Sequence, residues 1–369
     1  MYGTQDAPAV WQRLVRRVML ERGFTPSVTV ACLYHNPKTG VKVVAHVDDF
    51  LVTGPKPALV ALRDSLKEEF EVDGDILGPG TEEEKEAKFL GRTVRWTPAG
   101  IEWEGDQKVV QGFLEEFALE EGRAVETPGV KTEEPTEEPP LMEAKEASLY
   151  RRGAAKVNYM AQDRVDLAYA SKELSRGMAR PRVGDEVRLK RVARYLRRFP
   201  RLVVRYDWQA PTRGVTVLTD SDWGGCVRTR KSTSGGCVMK GSHLLLFWSR
   251  TQQLVALSSA EAEMNAAIKA GVEGLGVVHM AEELATPHSL TVLGDSSACL
   301  GIASRSGAGK VKHLSVRQLW LQERVANGDL SVEKIPRSIN SADALTHHWT
   351  QAEGCCHFGA MRTARFGQS

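Results

Sequence analysis

VTVLTDSDW, residues 215–223, alternates branched apolar residues with threonines and runs straight into an acid. Val215 and Val217 fall on one face of an extended chain, so the segment reads as a strand that ends at Asp220. Three more acids stand in comparable settings: Glu263 in SSAEAEM (258–264), Asp295 in VLGDSSA (292–298) and Asp343 in SADALT (341–346). Carboxylates delivered by separate elements can converge on two divalent cations about 4 Å apart, which activate a water and stabilise a leaving oxygen in phosphodiester cleavage.

Taken singly, an Asp after a strand serves a turn or a helix cap, and a helix Glu is a solvated group. The contexts shift the balance. LLLFWS (244–249) reads as a buried strand, and LSSAEAEMNAAIKAGVEGL (257–275) as a helix. Ser258 with Glu261 three residues on fits a capping box, which occupies Glu261 structurally. Glu263, two residues later, points nearly the opposite way and is free for chemistry. Leu290–Leu293 form an apolar run before Asp295, Leu330–Ile335 a last strand, and Asp343 is expected to begin a closing helix.

The order strand–strand–strand–helix–strand–helix–strand–helix, with acids at those points, resembles ribonuclease H. DSDWGGCVRTRKSTSGGCVM (220–239), FWSRTQQLVALSSAEAEMNAA (247–267), GDSSACLGIA (294–303) and KHLSVRQLWLQERVANGDLSVEKIPRSINSADALT (312–346) resemble the ribonuclease H of copia-type LTR retrotransposon polyproteins. The resemblance implies that Asp220, Glu263, Asp295 and Asp343 are catalytic and hold two Mg²⁺ ions, with Mn²⁺ as a substitute. Asp222, two residues from Asp220, reads as a supporting acid or an alternative ligand. His347 and His348 read as surface histidines, with proton transfer to the leaving group as the alternative.

VKVVAHVDDFLVTG (41–54) places Asp48 and Asp49 between two apolar strands, where they would serve as metal ligands for nucleotidyl transfer; an unrelated Asp-Asp turn is the commoner reading of the dipeptide alone. MYGTQDAPAVWQRLVRRVMLERGF (1–24) and FLGRTVRWTPAGIEWEGDQKVVQGFLEEFAL (89–119) resemble the flanks of the Tyr-Val-Asp-Asp motif in copia-type reverse transcriptases. YRRGAAKVNYMAQDRVDLAYASKELSRGMARP (150–181) and RLKRVARYLRRFP (188–200) resemble the connection into ribonuclease H. The family's further palm acid lies upstream of the motif matched at Met1, and His46 stands where the family has Tyr. The chain therefore resembles a truncated reading frame, and residues 1–125 are expected not to polymerise.

Composition fits two or three globular domains, with 42% hydrophobic residues in 369. Residues 1–147 carry 17 Lys+Arg against 28 Asp+Glu, whereas residues 148–369 carry 32 against 19. Such asymmetry points to a polyanion partner for the basic part. Its charge concentrates on a helix with Arg188, Arg191, Arg194 and Arg198, and again at Arg228, Arg230 and Lys231. These seven are the candidate nucleic-acid contacts; a solvated helix face is the alternative for the first four.

ETPGVKTEEPTEEPPLMEAKEA (126–147) reads as a flexible acidic Pro-rich linker. Six cysteines without a Cys-x-x-Cys pair suggest reduced thiols. No apolar run approaches the ~20 residues of a membrane span, and no secretory signal is recognised.

The expected architecture is a multidomain α+β and α/β protein. A partial reverse-transcriptase palm and thumb (1–125) is followed by the linker (126–147), a basic connection (148–210), a ribonuclease H-like domain with a mixed five-stranded sheet (211–349), and an uninterpreted tail (350–369). The resemblance implies an intracellular enzyme, cytoplasmic or nuclear, that cleaves the RNA of RNA–DNA hybrids. The alternatives are a catalytically dead nucleic-acid-binding remnant and an unexpressed product with an incomplete fold. Oligomeric state is left open.

Overall fold

The computed structural model describes residues 6–117, 123–131, 138–305 and 316–367. Helix α1 (Ala7–Glu21) carries Pro8 in its first turn, where a missing N–H removes no intrahelical bond. It buries Val15, Val18 and Met19 against an antiparallel sheet of β1 (Thr25–Pro26), β2 (Leu33–His35), β3 (Lys42–His46) and β4 (Asp49–Thr53). Helix α2 (Lys56–Leu66) closes this small core with Leu62 and Leu66.

Strands β5 (Glu86–Phe89), β6 (Arg92–Thr97) and β7 (Gly100–Glu104) form a meander. Four helices follow: α3 (Gln107–Phe117), α4 (Ala144–Met160), α5 (Ala168–Gly177) and α6 (Val183–Arg198). Strand β8 (Arg201–Asp207) then returns to pair with β7. Phe113, Tyr150, Val157, Leu174, Leu189, Tyr195 and Leu196 are the buried faces these helices share. Inside this core Arg164 meets Asp166 in a two-pronged ion pair, Nε to Oδ1 at 3.0 Å and Nη2 to Oδ2 at 2.7 Å. Tyr195 donates to the same carboxylate at 2.6 Å.

The ribonuclease H-like part is built from β9 (Gly214–Ser221), β10 (Thr233–Lys240), β11 (His243–Thr251), α7 (Ser259–Glu283), β12 (Ser289–Gly294), α8 (Ser297–Ala303), α9 (Val316–Ala326) and β13 (Ser331–Lys334). The sheet order is β11–β10–β9–β12–β13, antiparallel across β11, β10 and β9 and parallel across β9, β12 and β13. This is the expected mixed five-stranded sheet. It is covered on both faces because strand side chains alternate. Val238 joins the α7-side core with Val217, Met264 and Val292. Its neighbours Cys237 and Met239 join the core of the preceding helices.

Helix α10 (Gln351–Ala360) and β14 (Thr363–Phe366) end the described chain. Thr350 and Glu353 form a capping box at the start of α10. Strand β14 pairs with β8, giving a second five-stranded sheet in the order β14–β8–β7–β6–β5. The last residues therefore have a structural role that their composition did not reveal. The acidic linker also differs from a free tether at its described ends. Thr127, Pro128 and Gly129 are buried, and Glu138 pairs with Arg182 at 2.6 Å. Residues 132–137 of that segment lie outside the described residues.

The first sheet is tied to the ribonuclease H-like part by Glu283, near the end of α7. Its carboxylate accepts the Thr29 N–H at 3.0 Å and hydroxyl at 2.7 Å, and also the Ser27 hydroxyl. The six cysteines are unpaired. Among the described residues no helix is long and apolar enough to cross a membrane.

Candidate metal centre

Strand β9 places Asp220 one residue before its end, with its side chain buried. Across the ladder Asp220 faces Gly235. A Cβ at Gly235 would come within 2.8 Å of the Ala342 carbonyl oxygen and the Thr346 methyl. The missing side chain thus lets the turn 341–346 lie directly on the sheet. That turn is a 3₁₀ helix, Ser341–Leu345, capped by the fully buried Asn340. Asn340 Nδ2 donates to Thr219 O at 3.0 Å, and its Oδ1 accepts the Ala342 N–H at 3.2 Å. Asp343 therefore sits in a 3₁₀ turn pinned to β9, not at the start of the closing α-helix, which begins eight residues later at Gln351.

Ser258 caps α7, accepting the Glu261 N–H at 3.2 Å, while the Glu261 carboxylate accepts the Leu257 N–H at 2.7 Å. Glu261 has the structural role expected, and Glu263 reaches the sheet. Asp295 follows β12 directly and precedes Ser296, which caps α8. Oxygens of Asp220, Glu263 and Asp295 all lie within 4.8 Å of one another. They come from a strand, a helix and a strand–helix junction, so the fold alone brings them together.

Crowding carboxylates in a partly dry site favours protons or cations. Burial pushes Asp220 up to about 6; the Thr346 hydroxyl, 2.5 Å away, offsets part of this, while Asp343 and Asp295 add to it. Burial also raises Glu263 to about 8, and the charges of Asp220 and Asp295 act in the same direction. An all-carboxylate donor set suits a hard divalent cation such as Mg²⁺ or Mn²⁺ over a soft one. The three residues fit such an ion.

Asp343 stands outside that set of three, and Arg337 donates to its Oδ1 from Nε at 3.1 Å and Nη2 at 3.0 Å. Asp222 serves neither as a member of the set nor as strand residue. Its Oδ1 accepts the Thr233 N–H at 2.5 Å and shapes the turn after β9. His348 is not a surface histidine. It packs edge-on against Tyr169, and burial lowers it to about 4. His347 Nε2 lies 3.8 Å from Asp343 Oδ2.

The remaining sequence candidates are dispersed. Asp48 and Asp49 are exposed at the β3–β4 hairpin, and among the described residues they join no group of three potential ligands. Four basic residues of α6 are engaged internally. Arg188 pairs with Asp185 at 3.4 Å, Arg191 donates to Thr127 Oγ1 at 3.0 Å, Arg194 to the Arg123 carbonyl at 2.5 Å, and Arg198 pairs with Glu126 at 2.7 Å. The returning segment 123–127 thus covers much of the basic face. Arg228 and Arg230 are exposed and Lys231 half-buried in the β9–β10 turn, next to the Asp220 strand. Sequence reasoning missed Asn340, Thr346, Gly235 and Arg337. Only Asn340, as a cap before SAD, carried a local signal.

No family model matches the chain. The retrovirus-related Pol polyprotein from transposon RE1 of Arabidopsis thaliana is 26% identical over 363 residues, covering 94% of this chain and 23% of that protein. That from transposon TNT 1-94 of Nicotiana tabacum is 26% identical over 359 residues, covering 94% of this chain and 26% of that protein. Along 94% of its length the chain is similar to Pol polyproteins of copia-type retrotransposons. It spans about a quarter of the length of these Pol relatives. Among solved structures, the foamy viral protease–reverse transcriptase in complex with an RNA/DNA hybrid is similar at 11% identity and a TM-score of 0.48, covering 91% of this chain and 39% of that one.

Proposed function

We propose that this chain hydrolyses the RNA strand of RNA–DNA hybrids at the centre formed by Asp220, Glu263, Asp295 and Asp343. The observation that carries the reading is the convergence of the first three carboxylates within 4.8 Å from three separate elements. Asp220, Glu263 and Asp295 would hold Mg²⁺, or Mn²⁺ in its place, and Asp343 would complete a site for two ions. When bound, such ions supply Lewis acidity to the attacking water and to the departing 3′ oxygen.

The protein's own residues do the positioning. Thr346 and Asn340 fix the approach of the 341–346 turn to β9, and the Ser258 cap fixes the phase of α7. Arg228, Arg230 and Lys231 lie beside the Asp220 strand and suit contact with phosphates. Recognition would run through the backbone and 2′-hydroxyls rather than base sequence. An intracellular setting, where reduced cysteines persist, agrees with this substrate.

The test is cleavage of an end-labelled RNA–DNA hybrid by the purified chain in Mg²⁺, with Asp220→Asn and Glu263→Gln as controls. Mg²⁺-dependent cleavage abolished by either substitution is expected. Absence of cleavage by the folded wild type, or cleavage that survives both substitutions, would refute the reading. Binding of the hybrid without cleavage would instead mark a nucleic-acid-binding remnant.

A further inference from the structure

Arg337 stands at the edge of the carboxylate cluster. It follows β13 in the short 3₁₀ turn 337–339, after Pro336. Its side chain is 73% exposed, yet its guanidinium lies on Asp343, which is 9% exposed. Both Nε and Nη2 converge on the single oxygen Oδ1, at 3.1 and 3.0 Å. His347 Nε2 lies 3.8 Å from the other oxygen, Oδ2. The charge of Arg337 is also felt by Asp220 and Asp295. It is thus a tethered monovalent cation set at the edge of a divalent-cation site.

Two physical consequences follow. Asp343 Oδ1 is occupied by two donors, so an ion on that oxygen must displace the guanidinium, and an ion on Oδ2 would stand beside a fixed positive charge. The arginine stem is mostly in water, so swinging it away loses little packing. What would draw it off is an acceptor that offers a separate oxygen to each of its two donors. Guanidinium groups match phosphate oxygens with two parallel N–H donors, and such charge-assisted bonds are among the strongest available. A nucleic-acid strand entering the centre carries that acceptor.

We propose that Arg337 gates the second cation of the centre. Without nucleic acid its guanidinium holds Asp343, and the protein takes one divalent ion on Asp220, Glu263 and Asp295. A phosphate of the bound strand takes over the guanidinium and frees Asp343 for a second ion. Full metal loading is thereby coupled to substrate binding, and Arg337 acts through Asp343 as a positioning residue. This inference rests on the proposed metal-dependent function and specifies its order of assembly.

The experiment is a Mn²⁺ titration of the full chain by calorimetry and by electron paramagnetic resonance, so the readout is stoichiometry and affinity rather than turnover. Wild type without nucleic acid should bind one ion, with the second at least roughly tenfold weaker, the scale of one charge-assisted contact. Arg337→Gln should narrow that gap by about tenfold. Arg337→Lys, which keeps the charge but loses the paired donors, should fall between. Asp343→Asn in the Arg337→Gln background should return the protein to one ion. An unmodified RNA–DNA hybrid, mixed in and rapidly frozen before cleavage for paramagnetic resonance, should restore the second ion in wild type. Thermal unfolding in chelator confirms that each variant is folded. Equal affinities for two ions in wild type and Arg337→Gln would overturn the gate and leave the metal-dependent function standing. No Mn²⁺ bound by any folded variant would overturn the function itself and the gate with it.

Discussion

Replacing Glu263 with Gln should make the metal-free protein more stable, because the folded site holds Glu263 protonated at a pH where the unfolded chain gains by ionising it. Burial, with Asp220 and Asp295 adding, raises Glu263 from 4.5 to about 8. A raised carboxylate pKa means that the folded protein holds the proton more tightly than the unfolded chain does. The resulting destabilisation is absent below pH 4.5 and grows as pH rises toward 8. At pH 7 the folded state keeps the proton across roughly two and a half pH units in which the unfolded chain would ionise. At about 1.4 kcal/mol per unit this amounts to about 3 kcal/mol. Residual solvent contact screens part of it, so Glu263→Gln should stabilise by roughly 1–3 kcal/mol. The assay is urea unfolding at pH 5, 6, 7 and 8 in chelator. Wild type should lose stability as pH rises, and the variant should show a flatter profile. Mg²⁺ should narrow the difference. An ion that binds only the folded state contributes about 1.4 kcal/mol at tenfold excess over its dissociation constant, and the variant should gain much less. A variant less stable than wild type in chelator, or an equal Mg²⁺ response in both proteins, would refute the reasoning.

Asp166→Ala leaves Arg164 buried without its partner and should destabilise by about 3–5 kcal/mol in urea unfolding, whereas Arg164→Met with Asp166→Leu and Tyr195→Phe should lose less than the single change. A single variant within about 1 kcal/mol of wild type would show that the pair contributes no uncompensated charge when broken. Primer extension on a labelled template should be absent in Mg²⁺, because the exposed Asp48 and Asp49 join no third acid among the described residues; measurable synthesis would show that another carboxylate is recruited. Replacing Arg228, Arg230 and Lys231 with Ala should weaken hybrid binding and flatten the log–log salt dependence by about 2–3, at close to one released counterion per phosphate contact. The same change at Arg191, Arg194 and Arg198 should lower stability more than it alters the salt slope, since those side chains already hold the 123–127 segment; a larger slope change there than at the first set would reverse the assignment.

The sequence by itself determined the elements and most of the centre. Period-two alternation from Val215 and the apolar run before Asp295 specified strands, and Ser258 with Glu261 specified where α7 starts and hence which way Glu263 points. These are local properties, set by backbone geometry and nearest neighbours, so they can be read without knowing what packs above. Tertiary structure decided the rest. That Asp343 lies in a 3₁₀ turn follows from Gly235, more than a hundred residues earlier, whose missing side chain admits the turn onto the sheet. That Arg337 clamps Asp343 follows from how β13 aims the chain at the centre. The helix carrying Arg188 to Arg198 looked like a free basic face because its partners, Arg123, Glu126 and Thr127, come from a segment whose composition suggests solvent. His348 looked exposed because nothing adjacent in sequence announces Tyr169. Charge and polarity can be counted along a chain, but whether a charge faces water or a partner depends on contacts between distant residues, and only the folded chain supplies those.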